Sequence, residues 1–228
     1  MRPSRQGAAA PAGFTLVELL VGLALGLLVL AAALTLLAQQ THEQRALLVE
    51  ARLMQDLRSA ADLVARDLRR AGHWADAGAG TWRADAAPAA NPYAALAPAA
   101  AASDAAAYAY SRDAVENHVL DGNERFGLRL RNRAIELQLG AGNWQTLTDA
   151  GVIEITALEI APVAQSIELG ALCPQACPAD SATCPPRLQL RSLALSITAR
   201  ATADPAVQRS LVARVRLRND AIDGDCTA

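Results

Sequence analysis

The sequence predicts an α+β fold in which one long N-terminal helix, hydrophobic over its first half, packs on a C-terminal antiparallel β-sheet head. Residues 14–38 are apolar apart from Thr15, Glu18 and Thr35, and neither Gly nor Pro occurs between Gln39 and Ala71. The remainder of the 228-residue chain contains short stretches in which polar and apolar residues alternate. Such alternation is typical of strands with one buried face.

The first helical segment is long enough to cross a membrane. It follows residues 1–13, which are polar or small, and its roughly 25 apolar residues would span about 37 Å as a helix. Arg2 and Arg5 precede it, and no basic residue follows until Arg45. The positive-inside rule therefore places the N-terminus in the cytoplasm and the head in the periplasm. An ordinary secretory signal has a shorter apolar region and fits poorly.

The junction between the polar start and the apolar run reads GFTLVE, beginning at Gly13. Together with the preceding arginines and the apolar run that follows, it resembles the class III signal of type IV pilins and type II secretion pseudopilins. The resemblance implies a pilin-like fold and cleavage by a prepilin peptidase between Gly13 and Phe14. It also implies N-methylation of Phe14, and it makes Glu18 the fifth residue of the mature chain, which is the acidic position of that family.

An acid in an apolar run is costly unless it is paired. Cleavage would free the amine of Phe14, which is a cation in the same apolar surroundings. We therefore expect Glu18 to pair with this amine on a neighbouring subunit and to set the axial register of a filament. The alternative is that Glu18 merely lies at the membrane interface. Gly22 and Gly26 form a G-x-x-x-G pattern that permits close helix packing.

The second half of the helix, residues 39–72, is predicted to be amphipathic. Its apolar residues recur at steps of three and four and form one stripe, and Gly72 is placed to end the helix after Ala71. Charged residues fill the rest of its surface. The stripe comprises Leu53, Leu57, Ala60, Val64, Leu68 and Ala71. We expect this stripe to pack against the head and the predicted helix to run from Phe14 to Ala71.

The head, residues 73–228, begins with an Ala/Pro-rich loop over residues 75–107. Trp74, Trp82 and Tyr93 are candidates to pin this loop to the head; alternatively, the loop contacts a partner. Strand candidates follow near Ala107 and at 125–132, 134–139, 144–163, 188–201 and 209–219. They predict one antiparallel sheet with one face on the helix and the other in solvent.

All four cysteines lie in the last quarter of the chain: Cys173, Cys177, Cys184 and Cys226. The first three lie in a loop at 172–186. Their spacing does not include the C-x2-C pattern that is usual in structural zinc sites. Outside the cytoplasm, disulfides are the default interpretation, and three pairings remain open. Cys226 could staple the loop to the last strand.

The sequence offers no chemistry for catalysis. Serine-hydrolase, zinc-protease and nucleotide-binding motifs are missing from it, and its histidines, at 42, 73 and 118, lack ligand spacing. A net charge of −2, from 21 basic and 23 acidic side chains, argues against a nucleic-acid partner. We therefore expect no enzyme activity, no metal and no cofactor.

One stretch at the end of the long helix and two stretches of the head resemble a narrower group, the PilW-type minor pilins. They read VARDLRRAGHW, WQTLTDAGVIEITALEI and LVARVRLRND. The resemblance implies a minor type IV pilin that takes part in the initiation, assembly or tip formation of a pilus. Its partners would be other major and minor pilins, the prepilin peptidase and the inner-membrane assembly platform. It would be a single-pass inner-membrane protein until assembly.

Three alternatives stay open. The first is a minor pseudopilin of a type II secretion system, which carries the same N-terminal signal. The second is an adhesin or sensor at a pilus tip, with residues 75–107 or the cysteine loop as its contact. The third is a membrane-anchored periplasmic enzyme, which no sequence motif favours.

Overall fold

The computed structural model describes residue 13, residues 15–81 and residues 89–226. Phe14 and Trp82 lie outside the described residues, so the predictions that concern them are not addressed by the fold. The chain divides into two compact units, Met1–Leu48 and Val49–Ala228. A single helix, α1, contributes residues to both units.

Helix α1 spans Leu16–Leu68, 53 residues in all. Thr15 caps it: its Oγ1 accepts a hydrogen bond from the Glu18 amide at 3.2 Å, and its carbonyl accepts one from the Leu19 amide at 3.1 Å. The helix is therefore slightly shorter than the predicted 14–71, because Thr15 serves as the N-cap and residues 69–71 form a turn. Gly72 follows with φ +74°, the left-handed conformation expected of a glycine that ends a helix.

In the first unit, the leucine and valine side chains of α1 are largely exposed. Each of those between Leu16 and Leu37 is more than half accessible, and no described residue covers them. By length and composition, α1 is the one described helix that could cross a membrane. Its first half therefore presents an apolar surface that requires lipid or other helices around it.

The head contains two antiparallel sheets rather than the single sheet predicted. The first sheet has the order β1 to β5, comprising β1 (Leu96–Ala97), β2 (Ala105–Ala109), β3 (Arg125–Arg131), β4 (Ala134–Leu139) and β5 (Trp144–Thr146). The second comprises β6 (Ile153–Glu168), β7 (Arg187–Ala201), β8 (Gln208–Arg216) and β9 (Ala221–Asp223). In it β7 pairs with β6, β8 and β9, while Ser103 bridges to Ile160 between the two sheets.

The predicted stripe of α1 lies in the core of the head. All six of its members are buried, and all except Ala60 belong to one apolar cluster with residues of both sheets. The largest fully buried partners from the sheets are Phe126, Leu128, Ile135, Ile155, Ile160, Leu193, Leu195 and Ile197. Burial of each such side chain contributes roughly 1.5–3 kcal/mol relative to exposure, so this cluster is the main source of the stability of the head.

Asp67 fastens the end of α1 to β2. Its carboxylate accepts hydrogen bonds from the Tyr108 hydroxyl and, at 3.4 Å, from the Tyr110 hydroxyl. Nη1 of Arg70 lies 3.7 Å from Oδ1 of the same carboxylate, and Cζ of Arg70 lies 4.1 Å from the centroid of the Tyr110 ring. Burial, followed by the nearby charge of Asp67, raises the pKa of Tyr110 to about 12. Both hydroxyls therefore remain donors at neutral pH.

A second, smaller cluster holds the beginning of the Ala/Pro-rich loop. Trp74 and Tyr93 are buried together with Ala109, which confirms the predicted pinning for these two aromatic residues. The Tyr93 hydroxyl donates to Glu116 at 2.9 Å. The loop is also more structured than predicted, since β1 and the first residues of β2 lie within 75–107.

Glu154 joins the two sheets. Its carboxylate accepts a hydrogen bond of 2.6 Å from Nε of Arg200, which lies on the neighbouring strand β7. It accepts a second hydrogen bond of 2.6 Å from Nη1 of Arg133, which belongs to the first sheet. Arg133 and Asn132 form the two-residue turn between β3 and β4, both with positive φ. The carbonyl of Arg133 also accepts the Ile155 amide at 2.9 Å. The contact therefore combines two ion pairs with a backbone hydrogen bond.

The Glu154 contact predicts a pH-dependent stability. Hydrogen bonds from Arg200 and then Arg133 hold the pKa of Glu154 below its ordinary value. Because the pKa is lower in the folded state, ionised Glu154 stabilises the fold at pH values above the unfolded-state pKa of about 4.3. This contribution is lost as the pH falls through the folded-state pKa. We expect Glu154→Gln to lower the unfolding temperature at pH 7 and to reduce the loss of stability below about pH 4.

The measurement is thermal unfolding of the full chain in detergent at a series of pH values. Glu159→Gln is the matched control, because Glu159 lies exposed on the same strand and no described residue pairs with it. A Glu154→Gln profile parallel to that of the wild type at every pH would contradict the assigned role.

Candidate processing and assembly site

The predicted cleavage point lies immediately before α1. Gly13 is exposed and non-helical, Thr15 is the N-cap, and the helix proper begins at Leu16. A side chain placed on Gly13 would meet no neighbouring atom within 4 Å. No described residue therefore covers Gly13. Because Phe14 lies outside the described residues, cleavage and methylation there remain predictions.

Glu18 lies in the first turn of α1, and the structure brings it together with Thr15. The Thr15 hydroxyl binds the Glu18 amide, and the spacing Thr-x-x-Glu is the pattern of a capping box. A carboxylate at this end of a helix is also favoured by the helix dipole. The predicted role of Glu18 in register did not include this local role. Within the described part of the chain, no cation pairs with the exposed Glu18 side chain.

Gly22 and Gly26 lie on the exposed first half of α1. A Cβ atom at either position would meet nothing within 4 Å, so no described residue of the chain occupies the space beside these glycines. A helix from another molecule could approach closely at this face. The packing role of the two glycines, like the register role of Glu18, remains a prediction.

The four cysteines form two disulfides, Cys173–Cys226 and Cys177–Cys184, with Cα–Cα distances of 5.3 and 5.4 Å. This resolves the three pairings that the sequence left open. The first bridge confirms that Cys226 staples the cysteine loop to the end of the chain, just after β9. The bridges are adjacent, since the sulfur atoms of Cys173, Cys177 and Cys184 lie within 4.8 Å of one another.

Gly224 allows the C-terminal segment to lie against the cysteine loop. Its φ is +82°, and a Cβ atom there would overlap the carbonyl oxygen of Thr183. The next residue, Asp225, donates its amide to that same carbonyl at 3.1 Å. Backbone contact and the Cys173–Cys226 bridge therefore hold the two segments together. No local sequence pattern singles out this glycine.

An exposed apolar N-terminal helix, preceded by a glycine junction and followed by an α+β head, defines the class of pilin-like proteins. Comparison with protein families supports this class at both ends of the chain. The family described as Prepilin peptidase-dependent protein B matches residues 46–217, and the Prokaryotic N-terminal methylation motif matches residues 10–34. Since the first match covers more than half of the chain, the protein belongs to the Prepilin peptidase-dependent protein B family.

The two matches fit together along the sequence. The methylation motif includes Gly13, Glu18, Gly22 and Gly26, and the family match begins before the buried part of α1. The chain is thus a pilin-like protein that depends on a prepilin peptidase. Searches of curated proteins and of solved structures returned no significant match.

Proposed function

We propose that the protein is a minor type IV pilin, similar to the PilW type, that takes part in the initiation, assembly or tip formation of a type IV pilus. The observation that carries the proposal is the exposed apolar half of α1 within the matched methylation motif. In this proposal the protein catalyses no reaction. It resides in the inner membrane with its N-terminus in the cytoplasm and its head in the periplasm, and then enters the pilus.

The apolar surface of α1 is compatible with both locations, the inner membrane and the pilus. In the membrane, lipid tails cover the leucine and valine side chains of residues 16–37. In the filament, the helices of other major and minor pilins cover the same side chains, and Gly22 and Gly26 allow a close approach. The same surface can therefore pass from one apolar environment to the other when the assembly platform extracts the subunit.

Glu18 would act at the moment of assembly. After cleavage, the new amine lies at the N-terminal end of α1, where the helix dipole disfavours a positive charge. A carboxylate from a neighbouring subunit offsets this charge in surroundings that contain little water. The pairing requires one axial offset between subunits, and for this reason we assign Glu18 a role in register.

The test is mass spectrometry of the mature N-terminus from cells with and without the prepilin peptidase. With the peptidase, we expect a chain that begins at N-methyl-Phe14. Without it, we expect a chain that retains residues 1–13. Retention of Met1 in both strains, or trimming near Ala38, would exclude the filament role.

A minor pseudopilin of a type II secretion system is the second candidate, because the family match and the methylation motif apply equally to it. Deletion of the gene separates the two functions. Loss of surface pili with normal protein secretion supports the pilin. Loss of secretion with normal piliation supports the pseudopilin.

A further inference from the structure

A groove runs beside the buried half of α1, within the head unit. One wall is the exposed flank of α1 from Val49 to Leu63, and the other is the segment Leu147–Ile153. It consists of two adjoining hollows, of about 300 and 210 Å³, that share Asp56, Val152 and Ile153. Fourteen residue steps along the helix make the groove about 21 Å long, which is the length of roughly four helical turns. We call this feature the helix-side groove.

Large apolar side chains line the rims of the helix-side groove. Leu63 is 44% exposed on the helical wall, and Val152 is 53% exposed on the opposite wall. Isolated exposed apolar residues are common on protein surfaces, but here they face a shared concave surface. A partner that covered both side chains would remove this apolar surface from water, which favours association.

Asp56 lies where the two hollows meet, and it is an exception among the acids of the head. Across the described residues, every other carboxylate that is at least partly buried has a polar partner. Ten of them accept hydrogen bonds: Glu50, Asp67, Asp113, Glu116, Asp121, Glu124, Glu136, Glu154, Asp204 and Asp220. Asp225 also has a partner. The partly buried Asp56 has neither a hydrogen bond nor an ion pair among these residues.

The groove itself does not supply the missing cation. Arg52 precedes Asp56 by one turn, but the order Arg before Asp is the weaker orientation for a pair at this spacing. Arg52 is exposed and makes no ion pair with Asp56 in the described structure. The other charged lining residue is Asp149, which is acidic and accepts the Gly151 amide at 2.8 Å. The centre of the groove is therefore negative and bordered by apolar side chains.

We propose that the helix-side groove docks a helix of a neighbouring pilin subunit, and that this helix presents one basic side chain between apolar residues. The basic side chain pairs with Asp56, and the apolar residues cover Leu63 and Val152. The proposal rests on the proposed function, since filament assembly is what brings long helices of other subunits beside this one. It assigns a partner surface to the head in addition to the apolar half of α1.

The test is photo-cross-linking of the full-length protein in its own cells, with benzoylphenylalanine at position 63. We expect an adduct that mass spectrometry identifies as a pilin-type subunit. Asp56→Arg should reduce the adduct about tenfold or more, because a like charge then faces the basic side chain. Asp62→Arg is the matched control: Asp62 is an exposed acid on the same helix that does not line the groove, and the same charge change there should leave the adduct intact.

Asp56→Asn provides a second variant of nearly unchanged shape, for which we expect a smaller loss than for Asp56→Arg. An adduct whose yield is the same in both Asp56 variants and the wild type would overturn the proposal, as would an adduct formed exclusively with proteins outside the pilin class. An N-terminus correctly processed to N-methyl-Phe14 without any adduct at position 63 would reject the groove and leave the proposed function standing. An unprocessed N-terminus would instead reject the proposed function.

Discussion

Glu18→Val is expected to insert into the membrane as well as the wild type and to assemble into filaments about tenfold less, or worse. Valine is at least as compatible with lipid as a carboxylate, so insertion does not suffer. Assembly suffers because the amine freed at Phe14 of the neighbouring subunit would lack its counter-charge in an apolar environment. The measurement compares the protein recovered from sheared pili with that recovered from the inner membrane.

Two control variants separate pairing from other causes. Glu43→Val removes an exposed acid from the same helix outside the motif, and should assemble normally. Thr15→Ala removes the hydroxyl that caps α1 at Glu18, at a cost of about 1 kcal/mol to the helix end, but keeps the carboxylate. If Thr15→Ala assembled as poorly as Glu18→Val, the effect of Glu18 would come from stabilising the start of α1. The proposed pairing of Glu18 with the Phe14 amine would then be wrong.

Gly224→Ala is expected to destabilise the head by about 3 kcal/mol and to lower the yield of the Cys173–Cys226 bridge. Alanine disfavours the φ of +82°, and its Cβ atom would overlap the Thr183 carbonyl oxygen and lie 3.4 Å from the Pro186 Cα atom. The last segment of the chain must then move away from the cysteine loop. Thermal unfolding of the oxidised protein measures the first effect, and the mass increase on alkylation of free thiols measures the second.

Gly142→Ala is the matched control for this prediction. Gly142 has a similar φ of +75°, but a Cβ atom there would meet nothing within 4 Å. The loss of stability in Gly142→Ala therefore measures the cost of backbone strain alone, about 1 kcal/mol, without a collision like that with Thr183. Equal losses of stability in the two variants would show that the close approach at Gly224 is unimportant.

The parts of the fold that could be predicted from sequence are those with a long local period. The apolar stripe extends over about four turns of α1 and ends at Ala71, just beyond the helix, and each of its members is buried. Gly72 could be recognised as the helix stop because glycine adopts the left-handed conformation that commonly ends a helix at little steric cost. The strands β3 and β4 were likewise located closely, since alternation is visible over six or seven residues.

The parts that could not be predicted depend on contacts between distant residues. Strands β1 and β9 contain two and three residues, too few to show a period. The division into two sheets is set by strand pairings and by contacts such as that of Glu154 with Arg133, which no local pattern encodes. The pairing of the cysteines and the isolation of Asp56 are tertiary properties in the same sense.

At the candidate processing site, too, features with a local sequence pattern could be predicted, whereas those set by distant contacts could not. A short, strongly patterned motif locates Gly13, Phe14 and Glu18 without any structure. The capping of α1 by Thr15 adds a local reason for the acid, and the pattern Thr-x-x-Glu could have indicated it. The helix-side groove has no such signal, because its two walls are separated by more than 80 residues of sequence.

The Cys173–Cys226 bridge has a consequence for the way the head responds to proteolysis. A single proteolytic cut at any bond between these two cysteines leaves both fragments covalently attached. That interval includes all of β7, β8 and β9, which are three of the four strands of the second sheet. A nicked head can therefore keep its strands in place, and fragments would separate on a denaturing gel after reduction but not before.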